Sequence, residues 1–488
     1  MKVSIHHLAT GVPGLDAILG GGLPEFSFNL ITGPPGSGKT TLAHQMMFAL
    51  ATRERRALFF TVLGEPPLKM LRYQQQFSFF DPAKVNDTIR FVNLADEVAA
   101  GLFDRVLARI LKEVEAFSPG LVFVDSFRSI LPEGAQTAGG IGPRQFFQQL
   151  GVQLSTWQAT SFLIGEDSSD GDTQPMFTVA DGLLCLYQSV YRNSMVRKIQ
   201  VLKMRGQNTS PGIHTFRIGG AGLEVFPSAV VPGGTETGSA SAAPRPTARL
   251  TMGIPGLDAM LGGGLPVGYS LLVAGPSGSG KTILATEFLA EGARLGQPGV
   301  VVAFEQTPSQ SWSRSIDDLV RSGKVGLINT RLLDLSIDEI VQRLIDLIHR
   351  MKATRVVIDS LSGFELAVAP TFREDFRESL FRMVSVLSGL GVTVLMTSEL
   401  EDRYADLRFS PNGAAFLTDA IIVQRYVEVN GSLDRVMAVV KVRGSTHCTE
   451  LRQYQITGEG LIIGAAVTGY EGLLSGRPAR TPDTSPRP

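Results

Sequence analysis

Gly33-Pro34-Pro35-Gly36-Ser37-Gly38-Lys39-Thr40 is the stretch on which the reading of this chain turns. It fits G-x-x-x-x-G-K-[ST] in full, and Gly275-Pro276-Ser277-Gly278-Ser279-Gly280-Lys281-Thr282 fits it a second time. Such a loop has a defined physical task. Its glycines let successive backbone N–H groups turn inward around phosphates, its lysine reaches the β- and γ-phosphates, and its hydroxyl ligates Mg²⁺. The flanks agree with that task. Phe28-Asn29-Leu30-Ile31-Thr32 and Ser270-Leu271-Leu272-Val273-Ala274 precede the loops and read as buried strands. Behind them, Thr41 followed by Leu42, Met46, Met47 and Leu50, and in the second case Leu284, Phe288 and Leu289, recur at helical spacing. Strand, glycine-rich turn and helix set the loop amides at a helix N-terminus, where the dipole favours anions.

The loops belong to a longer repeat. Gly11-Val12-Pro13-Gly14-Leu15-Asp16 through Gly20-Gly21-Gly22-Leu23-Pro24 returns as Gly253-Ile254-Pro255-Gly256-Leu257-Asp258 through Gly262-Gly263-Gly264-Leu265-Pro266. Lys203-Met204-Arg205-Gly206 returns as Lys441-Val442-Arg443-Gly444. A period of about 240 residues is too long for a solenoid and suits a duplicated domain. The 488 residues exceed what one core organises. The stretch 227–249 is rich in Pro, Gly, Ser, Thr and Ala and reads as a flexible linker between domains at 1–226 and 250–474. The proline-bearing stretch 475–488 reads as a disordered, solvated tail.

Composition narrows the class. Hydrophobic content of 43 % supports sizeable cores, and the net charge is −1. No apolar run approaches the roughly 18 residues of a membrane span, and the N-terminus lacks the apolar segment of a signal peptide. Cys185 and Cys448 lie far apart, one in each half, as expected of buried thiols in a reducing, cytoplasmic setting. The six histidines show no metal-ligand spacing.

Mg²⁺ at such a loop needs a carboxylate at a neighbouring strand end. Leu121-Val122-Phe123-Val124-Asp125 and Arg355-Val356-Val357-Ile358-Asp359 supply one in each half, so Thr40 with Asp125 and Thr282 with Asp359 are the expected metal-holding pairs. Hydrolysis also needs a group that orients and deprotonates water. Val300-Val301-Val302-Ala303-Phe304 runs into Glu305, which is the expected general base. The first half differs: at the same distance from its loop lysine stands Leu63, and Glu65 follows two residues later. Glu65 is the candidate base there, and the halves are expected to be unequal catalysts. Lys203 with Arg205 and Lys441 with Arg443 each follow a strand-like run, where alternation sends both cations to one side, as a pair that meets one phosphate chain requires.

Taken together, these residues resemble the KaiC family of RecA-like ATPases, over nearly the whole chain. The opening motif, the phosphate loop, the strand-end acid, the Asp-Ser strand and the late K-x-R-G recur twice in that order, and Tyr470-Glu471-Gly472-Leu473-Leu474-Ser475-Gly476 resembles the family's tail. The resemblance implies an α/β fold of two tandem RecA-like P-loop domains, each a mostly parallel sheet flanked by helices. It implies ATP and Mg²⁺ as cofactors, and two stacked rings of six domains with ATP at subunit interfaces. Lys203, Arg205, Lys441 and Arg443 would then reach the ATP of a neighbouring subunit, and regulatory proteins would dock on the ring. The family pattern also has two adjacent glutamates after the strand. Here Glu305 is followed by Gln306, and Leu63-Gly64 stand in the first half. Clock members phosphorylate a Ser-Thr pair just before a Thr-Asp. Thr418-Asp419 is present, but Ala415 and Phe416 precede it and cannot accept phosphate, which leaves Thr418 as an unusual acceptor. A signalling ATPase fits better than a full timekeeping cycle.

Other readings remain open at this point. A DNA-dependent ATPase would be expected to show a basic stripe interleaved with aromatics. The net charge of −1 and the short cluster Arg53-Glu54-Arg55-Arg56 argue against one. A serine/threonine autokinase is a second alternative, although the protein-kinase motif set is absent. A ring using ATP only to assemble is a third, for the first half above all.

Overall fold

The computed structural model describes residues 5–62, 67–99, 103–126, 143–166, 174–191, 194–228, 248–304, 314–329, 336–368, 376–400, 417–429, 431–458, 460–473 and 479–480. The chain divides into two compact units, Met1–Ser228 and Ala229–Pro488. Of the stretch read as a linker, 229–247 lies outside the described residues, and Arg249–Leu250 at its end already forms a short strand with Leu265–Pro266. Within the stretch read as a tail, Ala479–Arg480 pairs with Tyr470–Glu471; 475–478 and 481–488 lie outside the described residues.

In the first unit one nine-stranded sheet runs, edge to edge, through Gly222–Phe226, Ile213–Gly219, Ser194–Met204, Gly182–Tyr191, Phe28–Thr32, Thr160–Gly165, Leu121–Asp125, Ala57–Thr61 and Ile89–Asn93. The six strands from Gly182–Tyr191 onward are parallel, and the other three form an antiparallel wing. The second unit repeats this order with Gly460–Ala466, Arg452–Thr457, Ser432–Val442, Ala420–Val429, Ser270–Gly275, Thr393–Glu399, Arg355–Asp359, Gly299–Ala303 and Val325–Asn329. Its parallel block and antiparallel wing match as well.

Alternation along the buried strands sends successive side chains to opposite faces, and helices cover both. In the first unit Leu42, Met46 and Met47 of the helix Lys39–Leu50 pack with Ile31, Phe59 and Phe123. On the other face, Ile110 of Phe103–Phe117 and Leu150 of Pro143–Thr156 pack with Leu30, Leu58 and Val122. The second unit does the same with Leu284 and Phe288 against Val273 and Val301, and Leu344 and Leu387 against Leu272 and Val300. These are tandem RecA-like α/β folds, as the sequence implies. No described helix is long and apolar enough to cross a membrane.

The repeated opening motif has a structural task. Asp16 accepts the backbone N–H of Thr10 at 2.9 Å, and Asp258 that of Met252 at 2.7 Å, locking the turn before each first short helix. One expectation needs correction. The strand ending in Asp125 is not adjacent to the loop strand, because Thr160–Gly165 lies between them, as Thr393–Glu399 does in the second unit. The extended crossover leaves that slot for a later strand. The cysteines are not disulfide-bonded; Cys185 is buried, whereas Cys448 is only partly so.

Candidate nucleotide site

Each loop leaves the C-terminal end of a central parallel strand and enters a helix, a crevice position where open α/β sheets bind ligands. Gly38 and Gly280 sit at the helix N-caps with φ of 104° and 95°. A Cβ there would strain the backbone and stand 2.7 Å from Ile218 Cδ1 in the first unit and 2.9 Å from Ile456 Cδ1 in the second. Only glycine serves. The lysines fold back over their loops. Lys39 Nζ donates to the carbonyls of Gly33 (2.8 Å) and Pro34 (2.9 Å), and Lys281 Nζ to those of Gly275 (2.8 Å) and Pro276 (2.7 Å). Burial pushes both ammonium pKa values down. A buried cation over a cradle of backbone groups is well placed to exchange those carbonyls for phosphate oxygens.

The hydroxyl and carboxylate expected to hold a metal meet in both units. Thr40 Oγ1 donates to Asp125 Oδ2 at 2.7 Å, and Thr282 Oγ1 to Asp359 Oδ2 at 2.9 Å. Asp359 Oδ1 also accepts from Thr397 Oγ1. Burial pushes the Asp125 carboxyl up, while Thr40 and the Lys39 charge pull it back. A half-buried carboxylate beside a hydroxyl is the donor set that Mg²⁺ uses when phosphates and waters complete its octahedron. Among the described residues there is no cluster of three or more His, Cys, Asp or Glu that would hold a metal without a ligand's oxygens. The Asp125-Ser126 and Asp359-Ser360 peptides are both cis.

Glu65, Glu305 and Gln306 lie outside the described residues, as do Leu63 and Gly64. The strands leading to them are described. Thr61 pairs with Asp125 and Ala303 with Asp359, so Val62 and Phe304 are equivalent positions, and by count along the chain Leu63 corresponds to Glu305.

Two carboxylates near the lysines escaped sequence reasoning. Glu166 follows Gly165, the pair of Thr32, and Glu399 pairs with Gly275. Their negative charges are the leading electrostatic influence that opposes the fall of the Lys39 and Lys281 pKa values. The repeated pattern of an apolar strand ending in glutamate could have revealed them.

The K-x-R pairs stand elsewhere. Arg205 donates to Asp181 Oδ1 at 3.1 Å, Lys203 to the carbonyls of Phe177 (3.2 Å) and Thr178 (3.3 Å), and Arg443 pairs with Asp419 at 3.5 Å. Asp181 and Asp419 in turn accept the backbone N–H groups of Phe28 and Ser270, at the start of each loop strand. The loop is at the other end, roughly 16 Å away at about 3.3 Å per residue. The described geometry thus does not bring either K-x-R to the loop of its own unit. Partial burial and the neighbouring arginine push the Lys203 and Lys441 pKa values down. Thr418, next to Asp419, is fully buried, and Ala415 and Phe416 lie outside the described residues.

Comparison with known proteins agrees with this geometry. The sequence model of the family described as "ATPase: KaiC" matches residues 8–230 and again 250–467. The circadian clock oscillator protein KaiC of Picosynechococcus sp. is 26 % identical over 98 % of this chain and 93 % of its own length. The circadian clock protein KaiC3 of Synechocystis sp. is 28 % identical over 98 % of this chain and 95 % of its own. With two family matches that each span a loop, its Thr–Asp pair and its K-x-R, the chain belongs to the KaiC ATPase family.

Proposed function

We propose that the chain binds ATP with Mg²⁺ at both loops and hydrolyses it within a homo-oligomer, a hexamer by family resemblance, with the stronger hydrolytic site in the second unit. The observation that carries this reading is the separation of each K-x-R from its own loop: two halves of a phosphate site at opposite ends of one sheet are joined when copies of the chain pack side by side. In the second unit the amides of Gly275 to Thr282 and Lys281 would hold the phosphates, and Thr282 and Asp359 would hold the metal. Mg²⁺ there would neutralise charge on the β- and γ-oxygens. Glu305 orients water and takes its proton, and Lys441 and Arg443 of a neighbouring copy stabilise charge on the transferring phosphoryl group. The first unit, with Gly33 to Thr41, Asp125, Lys203 and Arg205, binds ATP by the same means and hydrolyses it more slowly, because Leu63 replaces the glutamate and Glu65 is displaced.

The relatives are named for the circadian clock. Ala415 and Phe416 deny this chain a Ser-Thr phosphorylation pair, and Thr418 is buried, so a signalling ATPase of the cytoplasm, read by protein partners, is the better fit. Mixing tests the shared site. In a Lys39→Ala background, Lys281→Ala chains and Arg443→Ala chains are each inactive alone. Mixed equally and reassembled, they regain activity at about a quarter of the interfaces, as random assortment in a ring requires. No recovery on mixing contradicts the shared site.

A further inference from the structure

The second loop is tied to the neighbouring strand Ala420–Val429 and to Arg452–Thr457 of the antiparallel wing by polar bonds that the first lacks among the described residues. Ser279 Oγ donates to Gln424 Oε1 at 2.9 Å, and the Tyr454 hydroxyl donates to the Ser279 carbonyl at 2.6 Å. The Tyr426 hydroxyl donates, at 3.4 Å, to the carbonyl of Ser277. The equivalent places in the first unit follow from the backbone. Leu186 lies against Gly33 as Gln424 lies against Gly275, Gln188 against Gly36 as Tyr426 against Gly278, and Ile218 against Gly38 as Ile456 against Gly280. Phe216, two residues before Ile218, therefore stands where Tyr454 does. Ser37 Oγ has no hydrogen-bond partner among the described residues, and Gln188 Nε2 turns to Met195 Sδ at 2.8 Å.

Gln424 and Tyr454 are buried, at 0 % and 2 % exposure, where leucine and phenylalanine would avoid the cost of desolvating polar groups. The Gln424 bond holds the Ser279 side chain, and the Tyr454 bond falls on the peptide that follows it. In a planar trans peptide the C=O and the following N–H point in opposite directions. Holding the Ser279 carbonyl on Tyr454 therefore fixes the Gly280 N–H to the opposite side, and the Ser277 bond does the same for the Gly278 N–H.

We infer that Gln424 and Tyr454 are positioning residues that preset the amides of the second loop for a nucleotide's phosphates, giving this site tighter nucleotide binding than the first. This rests on the reading of the loops as ATP sites. A preset cradle lowers the ordering cost of binding, so its loss appears in affinity and leaves the chemical step alone.

The test uses full-length chains carrying Lys39→Ala, so that only the second site binds, with a fluorescent ATP analogue and steady-state phosphate release. Tyr454→Phe and Gln424→Leu, which install the first unit's residues, each weaken binding about three- to ten-fold, the range of one lost hydrogen bond. KM rises in step and kcat at saturation stays within about two-fold. The reciprocal Phe216→Tyr, in a Lys281→Ala chain, tightens the first site. Unchanged affinity in both second-site variants overturns the inference, as does a fall in kcat with KM unchanged. Failure of the Lys39→Ala parent itself to bind nucleotide would instead remove the ATP-site reading on which it stands.

Discussion

In the second unit Ser279 is bonded through both its hydroxyl and its carbonyl, while in the first Ser37 Oγ has no hydrogen-bond partner among the described residues, and Leu186 and Phe216 stand at the positions of Gln424 and Tyr454. The contrast continues into the cores. The strand Arg355–Asp359 opens with a fully buried arginine, whose guanidinium donates to the carbonyls of Thr251 (2.7 Å) and Phe288 (2.9 Å) and to Gln297 Oε1 (2.8 Å). It also lies 4.6 Å over the Phe288 ring. Burial pushes its pKa down to about 10, against the pull of Glu291 and Asp258. The register places Leu121 at that point in the first unit. Conversely, the first unit buries His44 on its loop helix, 4.5 Å from Phe59, where the second has Thr286, which bonds back to the Thr282 carbonyl at 2.8 Å. The two units keep one strand order and have exchanged the side chains that pack around it, so duplicated folds can diverge in side-chain chemistry without moving a strand.

The comparison is broken most sharply at the two carboxylates proposed as general bases. Glu305→Gln lowers phosphate release at the second site by about 100-fold or more, the range of a lost general base. Glu65→Gln changes total release by less than about three-fold. Equal losses would show that the displaced glutamate serves as well as the aligned one.

Next in size is Arg355→Leu, which gives the second unit the first unit's residue. Leucine cannot donate to Thr251, Phe288 and Gln297, so their buried acceptors lose their partner at a cost of about 3 kcal/mol or more. In denaturant titrations the second unit should unfold earlier while the first is unmoved.

A smaller effect distinguishes the units by pH. Burial holds His44 at about 4 in the fold, against about 6.5 unfolded. The unfolded chain therefore binds the extra proton first. Stability conferred by the neutral ring is complete above pH ~6.5 and is lost as pH falls towards 4, to at most about 3 kcal/mol. Limited proteolysis at pH 5 should cut within the first unit before the second, and His44→Leu should remove that acid sensitivity. Acid cleavage of His44→Leu at the original rate would exclude this histidine as the cause.

Much of this was legible in the sequence because it is local. A glycine loop between an apolar strand and an apolar helix carries its own geometry, and Phe28 to Thr32 and Leu42 to Leu50 form the elements their spacing predicts. Asp125 and Asp359 could be named because a strand end puts its last side chain at the crevice. The insertion of Thr160–Gly165 beside the loop strand could not be read, since strand order depends on long-range packing. The contact of Tyr454 with Ser279 joins residues 175 apart in sequence, and nothing near Tyr454 marks it. Glu166 and Glu399 went unnoticed for a different reason: their repetition is visible, but only the neighbouring lysine gives it meaning.

The central claim is that both loops bind ATP and that the second turns it over faster. The most direct measurement is release of labelled phosphate from γ-labelled ATP by the full chain, Lys39→Ala and Lys281→Ala, with protein-bound label counted in the same samples. The account predicts that Lys39→Ala keeps most of the turnover, that Lys281→Ala loses most of it, and that no stable label stays on the protein. Retained turnover in Lys281→Ala with loss in Lys39→Ala, or label accumulating on the chain, would contradict it.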